Sequence, residues 1–203
     1  MNSLSNRIHT FSTFWRGYIE MIRPAPEQRE SMRSKRLDKS FVEQIELIVS
    51  RVNGCRTCTY VHSANALREG LSDKELEELL ALDLGHFPAE RAIAFAFAEH
   101  YAERGGQPDP TVEKRFRDYY GPQKSQDILA RLRFIQFSSV TGATIQALLS
   151  RLGGQPVPGS NLLTELIVFL MCAPAYLPRL AWMERATAYG HVRNALSQAA
   201  DGG

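Results

Sequence analysis

The stretch FVEQIELIVSRVNGCRTCTYVHSANALREG, residues 41–70, constrains the fold more than any other part of the chain. Apolar residues recur every three or four positions on both sides of Asn53-Gly54, a strong breaker pair, and Gly70 closes the second run. The pattern predicts two helices joined by a tight turn, with Cys55 at or just inside the start of the second. On that helix Cys55 and Cys58 are spaced i, i+3, and Cys58 and His62 i, i+4, so all three share one face.

Such a face predicts thiol chemistry if a thiolate forms. A free cysteine with a pKa of ~8.5 is only slightly ionised at neutral pH, and the thiolate is the nucleophile. The helix N-terminus contributes roughly 0.3–1 kcal/mol, less than one pKa unit, and acts most on Cys55. An imidazole one turn from Cys58 takes up its proton and leaves a thiolate facing an imidazolium. This favours Cys58 as the attacking sulfur and Cys55 as its resolving partner. An orienting carboxylate for His62 is available on the preceding helix, where Glu43 and Glu46 lie among Val42, Ile45, Leu47, Ile48 and Val52. By pattern alone either fits.

The series Glu43, Cys55, Cys58, His62, written E-x11-C-x2-C-x3-H, resembles the active-site signature of the AhpD-type alkylhydroperoxidases in the carboxymuconolactone decarboxylase-like superfamily. The order of later segments is also similar: Gly70, the Ser72-to-Glu75 helix start, the FPAERAIAFAFAEH helix and the PDPTV turn, a resemblance spanning about residues 36–152. It implies an all-α AhpD-like helical domain and selects Glu43 as the relay carboxylate. It implies further that Cys58 attacks a hydroperoxide, Cys55 resolves, and His62 and Glu43 relay protons. No bound cofactor is implied; an external dithiol reductant, a lipoyl group or a thioredoxin-like protein, reopens the disulfide. Homo-oligomers are the family habit. Here the cysteines enclose Arg56 and Thr57, where some members place a further histidine, and the later helix reads SSVTGATIQALLSRLG in place of an asparagine-rich segment.

With 203 residues the chain is long enough for one full core. A net charge of +2 with both signs interspersed gives no electrostatic case for nucleic acid. Three cysteines, two in one C-x-x-C, make no disulfide framework, and the start of the chain lacks a signal-peptide pattern, so the reducing cytoplasm is the expected compartment.

Three regions are expected: a helical arm over residues 1–35, the AhpD-like domain over 36–152, and a C-terminal helical extension over 153–203 on the same domain or a neighbouring subunit. In the arm, Ile8, Phe11, Phe14, Trp15, Tyr18, Ile19 and Ile22 form a helical stripe ended by Pro24 and Pro26, followed by a polar stretch. The motif helix is expected to start at Ser40 or Leu37. Ser72 and Glu75 predict a capping box for a short helix to about Leu82. Another helix follows Pro88 and stops at Gly105-Gly106. Residues 109–120 form a helix closed by Gly121-Pro122, and a long helix runs from about Gln123 to Leu152. Gly153 to Pro156 is a boundary. Residues 161–172, before Pro174, read as a buried helix too short to span a bilayer and suited to burial between subunits of a homo-oligomer; amphipathic helices are expected over 178–189 and 191–199.

Each candidate has a bland counterpart. C-x2-C-x3-H supplies at most three zinc ligands with no second pair downstream, so no metal is expected. Cys172 reads as a small buried hydrophobe, and His9, His86, His100 and His191 as structural or surface groups. The rival functions are a general thiol–disulfide oxidoreductase, a cofactor-free decarboxylase of the same superfamily, and a non-catalytic helical assembly module.

Overall fold

The computed structural model describes residues 7–185, and these form eight helices and no strand. The chain is all-α. The helix expected over 191–199, His191 and the last part of the one expected over 178–189 lie outside the described residues.

Helix α3 (Lys39–Val52) and helix α4 (Arg56–Arg68) are the predicted hairpin. Asp38, rather than Ser40 or Leu37, begins α3: its carboxylate accepts from the Phe41 N–H at 3.1 Å. Gly54 makes the turn with φ +69°, a left-handed conformation that costs glycine little. The turn is pinned from within, because the buried Asn53 side chain donates to Gln136 Oε1 at 3.0 Å and Ser139 Oγ at 2.8 Å.

Ile45, Leu47, Ile48 and Val49 of α3 are fully buried and lie at the centre of the main core. Around them pack helix α5 (Asp73–Ala81) through Leu76, Leu79 and Leu80, and helix α6 (Ala89–Glu103) through Ala94, Phe95 and Ala98. Each fully buried leucine or isoleucine contributes about 1.5–3 kcal/mol. The Ser72–Glu75 capping box opens α5 as the sequence predicts, and the FAFA run is core packing, with Phe95 against Phe41 and Phe87.

Helix α7 (Pro110–Leu152) runs along the whole core. Its two predicted parts abut without a loop, and Gly121 (φ 72°, ψ 170°) marks the break between them. Ile128, Leu132 and Ile135 reach the main core, while Ile145 serves a second, smaller cluster.

The two ends depart from the expectations. Helix α1 (Phe11–Ile22) places only Phe14 of its apolar stripe inside, against His9 and Phe137, and leaves Phe11, Trp15, Ile19 and Ile22 exposed. Pro26 starts a helix instead of only ending one: α2 (Pro26–Arg33) has proline at its first position, where no intrahelical donor is needed. Arg36 follows α2 and forms a bidentate pair with buried Asp127 of α7, at 2.6 and 2.7 Å.

Helix α8 (Leu162–Arg185) continues through Pro174 and Pro178 and is not ended by them. Each proline removes one intrahelical hydrogen bond; burial of Val168, Ala173 and Tyr176 offsets that loss. The helix is buried on one side only, since Leu163, Leu166, Leu170 and Leu177 face outward. Buried Glu165 ties its start to Arg151 of α7 through hydrogen bonds of 2.8 and 3.1 Å.

Candidate active site

Cys55 is the N-cap of α4, and its Sγ accepts the Cys58 N–H at 3.2 Å. The two cysteines are joined in a disulfide, with Cα atoms 5.3 Å apart. Their surroundings differ. Cys55 is completely buried, whereas Cys58 is partly exposed. The sulfur that an incoming molecule meets is therefore that of Cys58.

His62 lies one turn beyond Cys58 on α4, half-buried beside α3. Its Nδ1 is 2.8 Å from Glu43 Oε2 and 3.4 Å from Glu46 Oε2. Glu43 is the hydrogen-bonded partner, and it also accepts from Asn65 Nδ2 at 3.3 Å. Both carboxylates left open by the sequence pattern thus stand at the imidazole, because residues 43 and 46 are one helical turn apart on the face that α4 covers. Glu46 is the deeper of the two. Its Oε1 accepts no hydrogen bond and is 4.0 Å from Arg131 Nη1. Burial pushes the Glu46 carboxyl up to about 7; the facing His62 charge lowers it, the Glu43 charge raises it, and Arg131 lowers it.

Glu43, Glu46 and His62 are also a set that could ligate a cation, with one ligand atom from each within 4.8 Å of the others. Neither cysteine belongs to that set.

Cys55 is seated in the second apolar cluster with Phe14, Ile145, Val168 and Tyr176, and Cys58, Phe137, Met171 and Cys172 pack against it. Two residues at this sulfur, and a third behind them, carry no sequence signal. Gly142 of α7 lies so close that a Cβ there would come within 2.5 Å of Cys55 Sγ. The Tyr176 hydroxyl is 3.8 Å from the same sulfur. Gln146 Nε2 donates to that hydroxyl at 3.2 Å and to Thr57 Oγ1 at 3.1 Å. Tyr176 stands 121 positions from Cys55 within an apolar run, where no local pattern marks it.

The remaining candidates are accounted for by their surroundings. Cys172 is half-buried, and burial raises its thiol pKa. His9 is buried between Phe14 and Phe137, with Nε2 3.1 Å from Thr141 Oγ1, and burial lowers its pKa to about 4. His100 Nε2 accepts the Asp109 N–H, and His86 is exposed beside Asp83.

Residues 28–99 match the carboxymuconolactone decarboxylase family. The matched span runs from α2 into α6 and holds Glu43, Glu46, Cys55, Cys58 and His62. It begins earlier than the span read from the motif order and ends before α7. No curated protein and no solved structure matches the chain.

Proposed function

We propose that this chain, whose residues 28–99 carry the carboxymuconolactone decarboxylase family match, is a peroxidase that reduces alkyl hydroperoxides through the Cys55/Cys58 pair. The observation that carries this reading is the pairing of a part-exposed Cys58 with a fully buried partner sulfur, one turn from an imidazole held by a carboxylate.

In the reduced protein the Cys58 thiolate attacks the outer peroxide oxygen. The O–O bond breaks, Cys58 becomes a sulfenic acid, and the alkoxide leaves with a proton supplied through His62. Glu43, hydrogen-bonded to its Nδ1, keeps His62 oriented, as carboxylates do for catalytic imidazoles. The Cys55 thiolate then attacks the Cys58 sulfur; hydroxide leaves, takes a proton and becomes water, and the disulfide closes. A dithiol reductant, a lipoyl group or a thioredoxin-like protein, supplies two electrons to reopen it. The site calls for no bound metal or flavin in this cycle. The protein is read as a homo-oligomer, a reading supported by the exposed leucines of α8, and the cytoplasm is the compartment that the cysteine usage suggests. Among the described residues no helix is long and apolar enough to cross a membrane.

The alternatives differ in what they consume. A general thiol–disulfide oxidoreductase turns over protein disulfides with the same sulfurs, and a decarboxylase keeps its activity after both thiols are alkylated. The test is to mix fully reduced protein with an alkyl hydroperoxide and with a protein disulfide. Loss of two thiols per peroxide, faster than exchange with the disulfide, supports the proposal. The reverse order of rates, or activity in the alkylated protein, replaces it with one of the rivals.

A further inference from the structure

Opening a disulfide requires a thiolate to reach one sulfur while the other leaves as an anion. Burial decides which is which here. Cys55 has no exposed surface, so an attacking thiolate meets Cys58, and the electron pair of the broken bond goes to Cys55. That anion forms in an apolar setting of Phe14, Ile145 and Val168, where an uncompensated charge is costly.

Two donors face the place where it forms. One is the Cys58 N–H, at 3.2 Å from Sγ in the first turn of α4. The other is the Tyr176 hydroxyl of α8, at 3.8 Å. Gln146 holds that hydroxyl by donating to the phenol oxygen at 3.2 Å, and because a disulfide sulfur carries no hydrogen, the hydroxyl is the donor in its contact with Cys55 Sγ. Thr57, next in chain to the helix start, holds the other hydrogen of the same amide at 3.1 Å. Gly142 makes the arrangement sterically possible, since a Cβ there would lie 2.8 Å from Tyr176 Cε2 as well as 2.5 Å from Cys55 Sγ. Gly142, Gln146 and Tyr176 come from α7 and α8, outside the family-matched span; Gly142 and Tyr176 face Cys55 Sγ, and Gln146 holds the Tyr176 hydroxyl.

We infer that α8 serves the reductive half of the cycle: the dithiol reductant attacks Cys58, and the Tyr176 hydroxyl, aligned by Gln146, stabilises the departing Cys55 thiolate. This rests on the dithiol–disulfide cycle proposed above. One reductant thiolate bonds to Cys58 Sγ and the Cys55–Cys58 bond breaks. The second reductant sulfur, deprotonated, attacks the first, closes the reductant's own disulfide and releases the Cys58 thiolate. Two electrons pass to the cysteines, and the two protons of the dithiol return the pair to its reduced form.

The experiment uses the oxidised full chain and dihydrolipoamide as the probe, so that no step depends on peroxide. Tyr176→Phe is expected to slow disulfide reduction about tenfold or more, the loss for one hydrogen bond to a charged sulfur, with Gln146→Ala between it and the native chain. In a Cys58→Ser background, Tyr176→Phe and Gln146→Ala are expected to raise the midpoint at which Cys55 thiolate absorbance appears. Entry is tested independently of the tyrosine: the folded Cys55→Ser protein is expected to form a mixed disulfide with an aromatic disulfide reagent readily, and Cys58→Ser slowly. Native-rate reduction of Tyr176→Phe, an unmoved Cys55 midpoint, or faster mixed-disulfide formation at Cys55 each overturns the inference. Loss of peroxide turnover with these reduction results intact counts against the peroxidase reading alone.

Discussion

Gly142 and Cys55 touch across the α7–α4 contact so closely that a single methyl group at position 142 would stand 2.5 Å from the Cys55 sulfur. A glycine inside a helix costs about 1 kcal/mol relative to alanine, yet overpacking a filled site costs about 1–3 kcal/mol. Gly142→Ala is therefore expected to lower stability by about 1 kcal/mol and to slow disulfide closure after a peroxide pulse. Thermal unfolding and rapid-quench thiol counting measure the two effects. A more stable variant with native closure kinetics contradicts the close approach.

Glu43 and Glu46 both stand at His62, but only Glu43 is hydrogen-bonded to its Nδ1. Glu43→Gln is expected to reduce peroxide turnover by at least tenfold, since a mis-oriented base loses much of a proton-transfer contribution of about 10²–10⁴. Glu46→Gln is expected to cost less. Steady-state rates of the two variants decide the matter, and a larger loss in Glu46→Gln would transfer the relay to that residue.

Glu46 has a second, separable consequence. Its carboxyl is pushed from the ordinary 4.5 up to about 7, chiefly by burial. A raised acid binds more protons folded than unfolded, so the folded state loses stability as pH rises from about 4.5 to about 7, and above that the loss is complete. At about 1.4 kcal/mol per unit the total is about 3 kcal/mol. Glu46→Gln is expected to flatten this part of the stability curve, read by denaturant unfolding at a series of pH values. A native curve that rises through the interval, or an unchanged slope in the variant, contradicts the assignment.

Arg36 and Asp127 fasten the segment before α3 to α7. Asp127 is 1% exposed while Arg36 is 37% exposed, and the guanidinium holds the aspartate carboxyl below its usual range. Removing the arginine leaves a buried carboxylate without its counter-charge. Arg36→Met is expected to destabilise the chain, by less than the loss of a wholly buried pair. The Asp127 contribution is present above the ordinary aspartate pKa and is lost as pH falls through the lowered value. Chemical denaturation at pH 7 tests the loss, and a change under about 0.5 kcal/mol would show the pair to be idle.

The hairpin and its cysteines were legible because helix periodicity, a breaker pair and i, i+4 spacing are local signals. The Ser72–Glu75 box was legible for the same reason. Asp38 was missed as the cap because Ser40 and Leu37 fit the same polar stretch, and only the Phe41 N–H distinguishes them. Pro26 and Pro174 both read as helix stops in the sequence, whereas Pro26 begins a helix and at Pro174 packing outweighs a lost hydrogen bond. Gly142 and Tyr176 are illegible because they reach Cys55 through tertiary packing, and Gln146 because it acts through Tyr176.

The central claim is that Cys58 is the sulfur that meets peroxide and Cys55 the one that resolves it. Reduced native chain, Cys55→Ser and Cys58→Ser are each given one equivalent of cumene hydroperoxide, and peroxide loss and sulfenic acid are followed together. The account predicts a disulfide in the native chain, one turnover ending in a sulfenic acid at Cys58 in Cys55→Ser, and no consumption above background in Cys58→Ser. Peroxide consumption by Cys58→Ser at the native rate would contradict it.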